Sequence, residues 1–456
     1  MFDLAITNAH IVGESRVDHA NLYVKDGKFA AISSESLTTR ETVDANGLIV
    51  FPGAVDPHVH FNDPGLTDGE DFLTGSMSAV AGGITTVFEM PLTVPLTADK
   101  ASFLLKKSEA AKKSVADYGL YLALTPDNCS KVGELMELNP IGFKAFTSFS
   151  PEIPMVTDGE LLAGMRAIRA VNGRIAVHCE NNDIINFLTA RLKEAGRDGP
   201  RAYMESRPDY SEWEAVQRVV TLATISGVQL HVVHSSTPEG ARIVENARKA
   251  GHSVSVETAQ HFLFLDAHDF ERIGPFAQCN PPLREPGNSD KLWEAIRTGQ
   301  IDCVGTDHAP YTLAEKLQGN GSVWGTPAGM NNIQSAIPLL LGEGIKRNIP
   351  LTRLARLCAT APAQLFNIYP KKGAIIIGGD ADMFLFDPKE KWTVDPKYTF
   401  YKQKWTPFEG VKVTGRIKRT WIRGTTAYED AAPSGNILVK PGFGQFIPGV
   451  PGMSRS

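Results

Sequence analysis

The chain has 456 residues, of which 42% are hydrophobic and 21% charged, and its formal net charge is −5 at pH 7. This composition is typical of a globular protein with a large core, and it excludes disordered, collagen-like and coiled-coil classes. The slight acidic balance and the lack of any Lys/Arg block in the sequence argue against nucleic acid as a partner.

Membrane attachment and disulfide bonding are also disfavoured by the sequence. No apolar run approaches the roughly 20 residues of a spanning helix, and the first residues alternate like a strand rather than a signal peptide. The five cysteines are odd in number, scattered and without a C-x-x-C motif, which indicates free thiols. We therefore predict a cytoplasmic protein that makes no membrane contact.

Both ends of the chain read as β structure. Residues 1–50 contain short alternating stretches (LAITNAHIV, ANLYVKDGKFAAIS, ETVDANGLIV) separated by Gly, Asn and Asp turn signals. Strand patterns return after residue 370 in KKGAIIIGGDADMFLFDP and GVKVTGRIKRTWIRGTTAYED. We predict that residues 1–50 and 372–440 form one small β-sandwich domain, and that the Gly/Pro-rich residues 441–456 form an extended tail.

Residues 51–371 alternate between short apolar runs and stretches of helical period such as SDKLWEAIRTGQ and LTRLARLCATAPAQLFNI. Eight such runs end in polar residues: GLIVFPGAVDPHVH, GITTVFEMP, YGLYLALTP, IGFKAFTS, RIAVHCEN, VQLHVVHSS, HSVSVETAQH and IDCVGTDHAP. No G-x-G-x-x-G motif follows any of them, which argues against an open dinucleotide-binding sheet. The pattern predicts an α/β fold with a (β/α)8 TIM barrel.

Side chains that can bind metal stand on five of these eight runs. They are His58 and His60 on the first run, Lys144 on the fourth, His178 on the fifth, His234 on the sixth and Asp307 on the eighth. Active sites of such barrels lie where the strands end, so these side chains are expected to converge. Five independent strand ends that carry ligand-type residues predict a metal centre.

Lys144 lies in the apolar stretch GFKAF, where an ammonium would be poorly solvated and repelled by metal ions. Desolvation lowers the pKa of a lysine, and the neutral amine can react with carbon dioxide to form a carbamate. Such an anion could bridge two cations. We therefore expect two divalent metal ions bridged by carboxylated Lys144, with zinc as the preferred ion and manganese, cobalt or iron fitting the same ligands.

A two-metal centre of this kind indicates a hydrolytic enzyme. Two metals about 3.5–4 Å apart would hold a hydroxide that attacks an electrophilic carbon at neutral pH. Asp307 could ligate one metal and also carry a proton from the nucleophile to a leaving nitrogen, so it is the candidate general acid/base. Neither a G-x-S-x-G elbow nor a Gly-rich phosphate loop supports a serine hydrolase or a kinase.

The motifs VDPHVHFNDPG, GFKAF, VHCEN, HVVHSSTPEG, CNPPLRE and GTDHAP resemble those of the cyclic amidohydrolases, over nearly the whole chain. FEMPLTVP and GFGQF are most similar to allantoinases and L-hydantoinases. The resemblance implies that His58, His60 and Asp307 hold one metal and that His178 and His234 hold the other. It also implies a small cyclic amide substrate of purine or pyrimidine metabolism, and a homo-oligomer, either a dimer or a tetramer.

Differences between this chain and the motifs of individual subgroups narrow the range of possible substrates. Dihydroorotases typically clamp a substrate carboxylate with an arginine and an asparagine, where this chain has Asn62 and Leu92, and Tyr311 replaces their usual histidine. Phe149 stands where D-hydantoinases are expected to carry a tyrosine. The segments NPPLR and TDHAPYTLAEK nevertheless look dihydroorotase-like, so the hydrolysis of dihydroorotate to N-carbamoyl aspartate stays open as an alternative.

The expected reaction is the opening of a neutral ureide ring, of allantoin or hydantoin type, to its N-carbamoyl acid. The candidate substrate contacts are Asn62, Asn280, and Ala328 and Gly329 of the loop GTPAG. Two rival classes are a scaffold without catalysis, which the complete ligand set argues against, and a deaminase or phosphotriesterase-like hydrolase on the same barrel.

Four further residues have a predicted place. Glu180, His261 and His308 are expected beside the ligands as supporting or packing groups. Trp324 is expected in the core.

Overall fold

The computed structural model describes residues 1–450. The N-terminal part contributes five strands to a nine-stranded sheet: β1 (Phe2–Val12), β2 (Val17–Lys25), β3 (Lys28–Ser33), β4 (Thr39–Asp44) and β5 (Ile49–Pro52). Eight parallel strands follow: β6 (Ala54–Val59), β7 (Ile84–Glu89), β8 (Asp117–Ala123), β9 (Gly142–Phe146), β10 (Arg174–His178), β11 (Gln229–Val232), β12 (Val254–Ala259) and β13 (Cys303–Gly305). The last four strands return to the first sheet: β14 (Met383–Thr393), β15 (Lys412–Ile422), β16 (Thr425–Glu429) and β17 (Asn436–Ile437).

The eight parallel strands pair in chain order, and the predicted (β/α)8 barrel is confirmed. A parallel bridge between Val59 and His308 closes the ring next to β6, and the His60 amide donates to the His308 carbonyl at 2.8 Å. Because all eight strands run the same way, their carboxyl ends gather at one end of the barrel. The predicted ligand residues lie on, or directly after, these ends.

Fourteen helices occur among residues 1–450, most of them packed around the barrel. They are α1 (Phe72–Ala81), α2 (Lys100–Lys113), α3 (Val132–Met136), α4 (Asp158–Ala170), α5 (Asn182–Glu194), α6 (Pro200–Ser206), α7 (Asp209–Ser226), α8 (Pro238–Lys249), α9 (Ala267–Ile273), α10 (Asn288–Thr298), α11 (Leu313–Leu317), α12 (Ile333–Lys346), α13 (Leu351–Ala355) and α14 (Ala361–Leu365). None of the helices in this range has both the length and the apolar composition needed to cross a membrane.

The two stretches that the sequence predicts as helical, SDKLWEAIRTGQ and LTRLARLCATAPAQLFNI, are largely helical, and the helices form for ordinary local reasons. In α4, a capping box formed by Thr157 and Glu160 satisfies amides at the N-terminus, and Leu161, Met165 and Ile168 form one buried face. The stretch LTRLARLCATAPAQLFNI folds as α13 and α14, with one π-helical turn between them at Arg356–Thr360.

The two ends of the chain meet in one sheet, as predicted. Strand β14 pairs antiparallel with β5, and β5 pairs in parallel with β1, which gives the order β17-β16-β15-β14-β5-β1-β2-β3 with β4 beside β1. The unit is one continuous sheet rather than two separately paired ones. The domain limits at residues 50 and 372 stay a prediction, which we retain as a proposal.

A buried ion cluster ties this sheet to the barrel. Lys372 Nζ lies 2.5 Å from Asp117 Oδ2 at the start of β8 and 2.7 Å from Asp382 Oδ2, just before β14. Asp380 Oδ2 is 3.0 Å from the same ammonium, and Arg423 pairs with Asp117. All of these carboxylates are buried, so the cluster fixes the relative position of the two units.

The C-terminal segment lies extended along the barrel as far as it is described. The Gly444 amide donates to the Ser114 carbonyl at 2.9 Å, and the Ile447 amide donates to the Tyr118 carbonyl at 2.7 Å. Residues 441–450 of the predicted tail therefore follow the N-terminal end of β8, and residues 451–456 lie outside the described residues.

Candidate metal centre and active site

One cavity at the carboxyl ends of the barrel strands is lined by all the candidate metal ligands and candidate substrate contacts predicted from the sequence. Its volume is about 630 Å³. Its wall includes His58, His60, Asn62, Lys144, His178, His234, Asn280, Asp307, Ala328 and Gly329. The fold therefore brings together six candidate ligands and four candidate substrate contacts from distant parts of the chain.

The first ligand group is formed by β6 and the residues after β13. His58 and His60 are two residues apart on the strand, and Nε2 of each faces Asp307 Oδ1, at 3.2 and 3.3 Å respectively. Burial alone would raise the pKa of Asp307, but the imidazoles, His58 foremost, hold it well below its ordinary value. An ionised carboxylate and two imidazole nitrogens within 4.8 Å of one another could hold a divalent cation.

The second ligand group is formed by His178 and His234. His178 Nδ1 and His234 Nε2 are 2.9 Å apart, and the rings of His234 and His58 lie 5.3 Å apart, so the two groups adjoin. Burial lowers the pKa of His234 well below 6.5, with His178 and Lys144 adding to the effect. The imidazole is therefore neutral, which is the form that binds metal.

Lys144 lies on β9 beside both groups and is completely buried. Its Nζ has no hydrogen-bond partner among residues 1–450, and it lies 4.9 Å from the centroid of the Phe146 ring. Burial lowers the pKa of the amine to about 8. An unsatisfied buried amine is costly, whereas a carbamate at this position would turn it into a ligand for the two histidine groups.

A carboxylate that the sequence analysis missed lies beneath these ligands. Glu257 on β12 accepts from His58 Nδ1 at 2.9 Å, lies 3.2 Å from His231 Nε2, and accepts from the His234 amide at 3.2 Å. This fixes the proton of His58 on Nδ1 and leaves Nε2 free for a cation. The signal was available, because Glu257 is a charged residue within the apolar run SVSVETA.

Glu180 supports the second group in the same way. Its Oε2 lies 2.8 Å from His178 Nε2, which directs Nδ1 of that ring toward His234. Arg207 pairs with the same carboxylate. Burial would raise the pKa of Glu180, but Arg207 and His178 bring it below its ordinary value. This is the supporting role that the sequence suggested for Glu180.

The other residues singled out by the sequence have different places. His261 and His308 are buried outside the cavity wall, and His308 Nδ1 accepts from the Asn332 amide at 3.1 Å. The prediction that Trp324 belongs to the core is wrong, because Trp324 is only half-buried and lines the cavity. Cys279 also lines the cavity, but it donates its thiol to the Pro281 carbonyl, and burial raises its pKa.

Three of the candidate substrate contacts already make hydrogen bonds to other protein groups. Asn62 Nδ2 donates to the Pro310 carbonyl at 2.9 Å, and Asn280 Oδ1 accepts from the Tyr203 hydroxyl at 2.5 Å. The Gly329 amide donates to the Gln278 carbonyl at 2.8 Å. A Cβ at Gly329 would lie 2.2 Å from the Ala309 carbonyl oxygen, so glycine allows these loops to approach closely.

A buried lysine holds two of these loops together. Lys316 Nζ donates to the Pro327 carbonyl at 2.8 Å and the Gly329 carbonyl at 3.0 Å, and it lies 3.5 Å from the Gln278 carbonyl. Burial lowers its pKa to about 7. Lys316 therefore links the segment before Asn280 to the segment of Ala328 and Gly329.

Comparison with known proteins agrees with this geometry. Residues 49–427 match the model of the Amidohydrolase family. An allantoinase of Solibacter usitatus (strain Ellin6076) is 37% identical over 449 residues, which are 97% of each chain. An L-hydantoinase of Paenarthrobacter aurescens is 36% identical over 453 residues, which are 98% of each chain. The solved structure of an L-hydantoinase (dihydropyrimidinase) from Arthrobacter aurescens has a TM-score of 0.94 at 36% identity, covering 98% of this chain and 99% of that one.

Proposed function

Because the chain belongs to the amidohydrolase family and is a hydrolase of cyclic amides, we propose that it opens a neutral ureide ring of the allantoin or hydantoin type to the N-carbamoyl acid. Allantoinases and an L-hydantoinase are among its relatives over nearly the full chain. The observation that carries the proposal is the unpartnered, buried Lys144 amine between two histidine groups in a cavity of about 630 Å³.

The residues present fit a pair of divalent cations. We propose that His58, His60 and Asp307 hold one, that His178 and His234 hold the other, and that carboxylated Lys144 bridges them. Zinc suits this set of nitrogen and oxygen donors, and the one cavity thiol, Cys279, is kept protonated by burial. When bound, the pair would supply Lewis acidity toward the ring carbonyl and acidify a water so that it can attack at neutral pH.

The chain's own groups account for the proton transfer. Both imidazole contacts of Asp307 are made to Oδ1, so we assign Oδ2 to receive the proton of the nucleophile and to deliver it to the ring nitrogen that leaves. Glu257 keeps His58 oriented during this transfer, because it holds Nδ1 of that ring. The product is an open-chain acid with a free ureido end.

The charge of the cavity supports a neutral ring over dihydroorotate. Asn62 stands where an arginine would be needed for a carboxylate, and its amide is bound to the Pro310 carbonyl. Arg207 is paired with Glu180. Arg284, the arginine of the segment NPPLR, is buried outside the cavity wall, and it donates to the Arg207 carbonyl at 2.6 Å and to Glu212 at 3.0 Å. An anionic ring would therefore lose water without gaining a cation.

A ring-opening assay tests the function. Metal-loaded protein is incubated with allantoin, hydantoin, 5-substituted hydantoins, dihydrouracil and dihydroorotate, and the added water is detected by mass spectrometry. We expect turnover of allantoin or a hydantoin with dihydroorotate inert. Turnover of dihydroorotate alone would overturn the neutral-ring proposal, and inactivity toward all five would overturn the ureide assignment.

We also propose that the protein works in the cytoplasm as a homodimer or homotetramer. The five cysteines are all unpaired thiols, which suits a reducing compartment. Large apolar side chains are exposed on the outer helices, among them Leu104, Phe187 and Ile225, and a subunit interface could cover them. Light scattering coupled to size exclusion would reveal a monomer if the oligomer proposal is wrong.

A further inference from the structure

Two loops from opposite sides of the barrel meet above the metal ligands. The first follows β9, the fourth barrel strand, and carries Glu152; the second follows β13, the eighth strand, and carries Tyr311. The Tyr311 hydroxyl donates to Glu152 Oε1 at 3.0 Å. Strands four and eight of an eight-stranded barrel face each other across its axis, so this hydrogen bond crosses the mouth of the cavity.

The Glu152 carboxylate is held in a defined position. Ser150 donates its hydroxyl to Oε2 at 2.5 Å, while Tyr311 holds Oε1. All three residues line the cavity. Each carboxylate oxygen can accept two hydrogen bonds, so both oxygens retain the capacity to accept one from a bound molecule.

The negative charge of Glu152 has no cationic partner. Glu152 forms no ion pair within residues 1–450. Arg207, which lines the same cavity, pairs with Glu180, and Lys316, whose Nζ lies 6.0 Å from the centroid of the Tyr311 ring, donates to backbone carbonyls. A half-buried carboxylate that is fixed by two hydroxyls and lacks a counter-charge suits a ligand that brings its own donors.

We propose that Glu152 is the specificity-determining residue for the ring substituent, and that it selects C5 substituents bearing N–H donors, such as a ureido or guanidinium group, over apolar and carboxylate ones. This inference rests on the proposed ring-opening function. The ring carbonyl is placed among the strand-end ligands, and the substituent extends toward the mouth, where Glu152 accepts its N–H groups. A carboxylate there would meet like charge.

The test compares four hydantoins: allantoin, whose substituent is ureido, and the 5-(3-guanidinopropyl), 5-butyl and 5-(2-carboxyethyl) compounds. The kcat/KM of each is measured for the metal-loaded wild type and for Glu152→Gln. We expect Glu152→Gln to lower the ratio of kcat/KM for the guanidinopropyl compound to that for the butyl compound by at least about tenfold, the effect of losing a hydrogen bond to a charged group. The ratio for the carboxyethyl compound to the butyl compound should rise.

The two donor substrates separate charge from hydrogen bonding. If Glu152 acts through hydrogen bonds to N–H groups, the ratio of kcat/KM for allantoin to that for the butyl compound should also fall in Glu152→Gln. If allantoin is unaffected while the guanidinopropyl compound loses, the subsite selects cations only, and the ureido part of the proposal is overturned.

Two further variants serve as a second test and as a matched control. Tyr311→Phe removes the hydroxyl that positions Glu152 and should change the ratios in the same direction by a smaller factor, so it carries the test if Glu152→Gln does not fold. Glu315→Gln is the matched control, because Glu315 also lines the cavity, but its carboxylate caps α11 through Thr312, a role that glutamine can keep. Equal effects of Glu315→Gln and Glu152→Gln would show that the loss of any negative charge from the cavity changes the ratios. That result would overturn the assignment of Glu152 as the specificity-determining residue.

Failure of the subsite and failure of the function give different results. If the wild type opens the rings and Glu152→Gln lowers all four rates by the same factor, the subsite is wrong and the function stands. If the wild type opens none of the rings, the proposed function fails, and the subsite inference fails with it.

Discussion

The contact between Glu257 and His58 predicts a measurable loss of metal affinity in Glu257→Gln. Burial opposes ionisation of Glu257, but His58 and His231 lower its pKa to about 2, so it is a carboxylate. It lies 2.9 Å from His58 Nδ1 and 3.2 Å from His231 Nε2. Glutamine has the same shape and keeps one acceptor oxygen, but it removes the charge that makes the His58 imidazole a stronger ligand.

We expect the affinity of the His58 site for Zn²⁺ to fall by about 10–100-fold, the usual effect of removing a supporting carboxylate. That corresponds to about 1.4–2.8 kcal/mol. Metal-free protein is titrated with Zn²⁺ in competition with a chromophoric chelator, and circular dichroism verifies that the variant is folded. Asp382→Asn is the control, because this substitution also removes a buried carboxylate. The carboxylate of Asp382 contacts Lys372, on the far side of the barrel from the candidate metal centre.

The control should lose thermal stability while it keeps wild-type metal affinity. A folded Glu257→Gln protein that binds two equivalents of Zn²⁺ as tightly as the wild type would refute the argument that Glu257 orients and activates His58. Loss of affinity in both variants would point to general destabilisation instead of a specific contact.

Four further substitutions give distinct outcomes. Lys144→Ala should lose bound metal, counted by elemental mass spectrometry, together with turnover; two retained metals and full activity would remove the carbamate from the mechanism. Asp307→Asn should keep at least one metal and lower kcat by about 10²–10⁴-fold, whereas a wild-type kcat would refute its role in proton transfer. Lys316→Met should raise KM more than it lowers kcat, because the Gly329 loop loses its donor; an unchanged KM would contradict this. Lys372→Met leaves Asp380 and Asp382 without a cation and Asp117 with Arg423 alone, and it should destabilise the fold by about 3–5 kcal/mol, seen as a lower melting temperature.

The barrel, and the convergence of the candidate ligands at one end of it, could be predicted from the sequence because both depend on local pattern. Each strand is an apolar run that ends in a polar residue, and parallel strands necessarily bring those ends together. His58 and His60 show this most simply, because a spacing of two on a strand places both imidazoles on one side, and the structure brings both to within 3.3 Å of Asp307 Oδ1.

The contacts between distant loops could not be predicted in this way. Glu152 and Tyr311 are 159 residues apart, and nothing in either loop sequence indicates that they meet. The same holds for Lys316, which looks like an ordinary charged residue on a short helix until the fold buries it against the carbonyls of Pro327 and Gly329. Loop geometry depends on packing, which periodicity does not encode.

A charged residue within an apolar strand is a signal that the sequence itself contains. Lys144 and Glu257 both interrupt apolar strands, and a charged residue in such a place costs free energy unless a ligand or a partner compensates it. For Lys144 this cost predicts a metal bridge from the sequence alone, and it applies equally to Glu257, which lies 2.9 Å from the candidate ligand His58. Applied to Glu152, a fixed carboxylate without a cation at the mouth, the same reasoning leads to a substrate that carries its own donors.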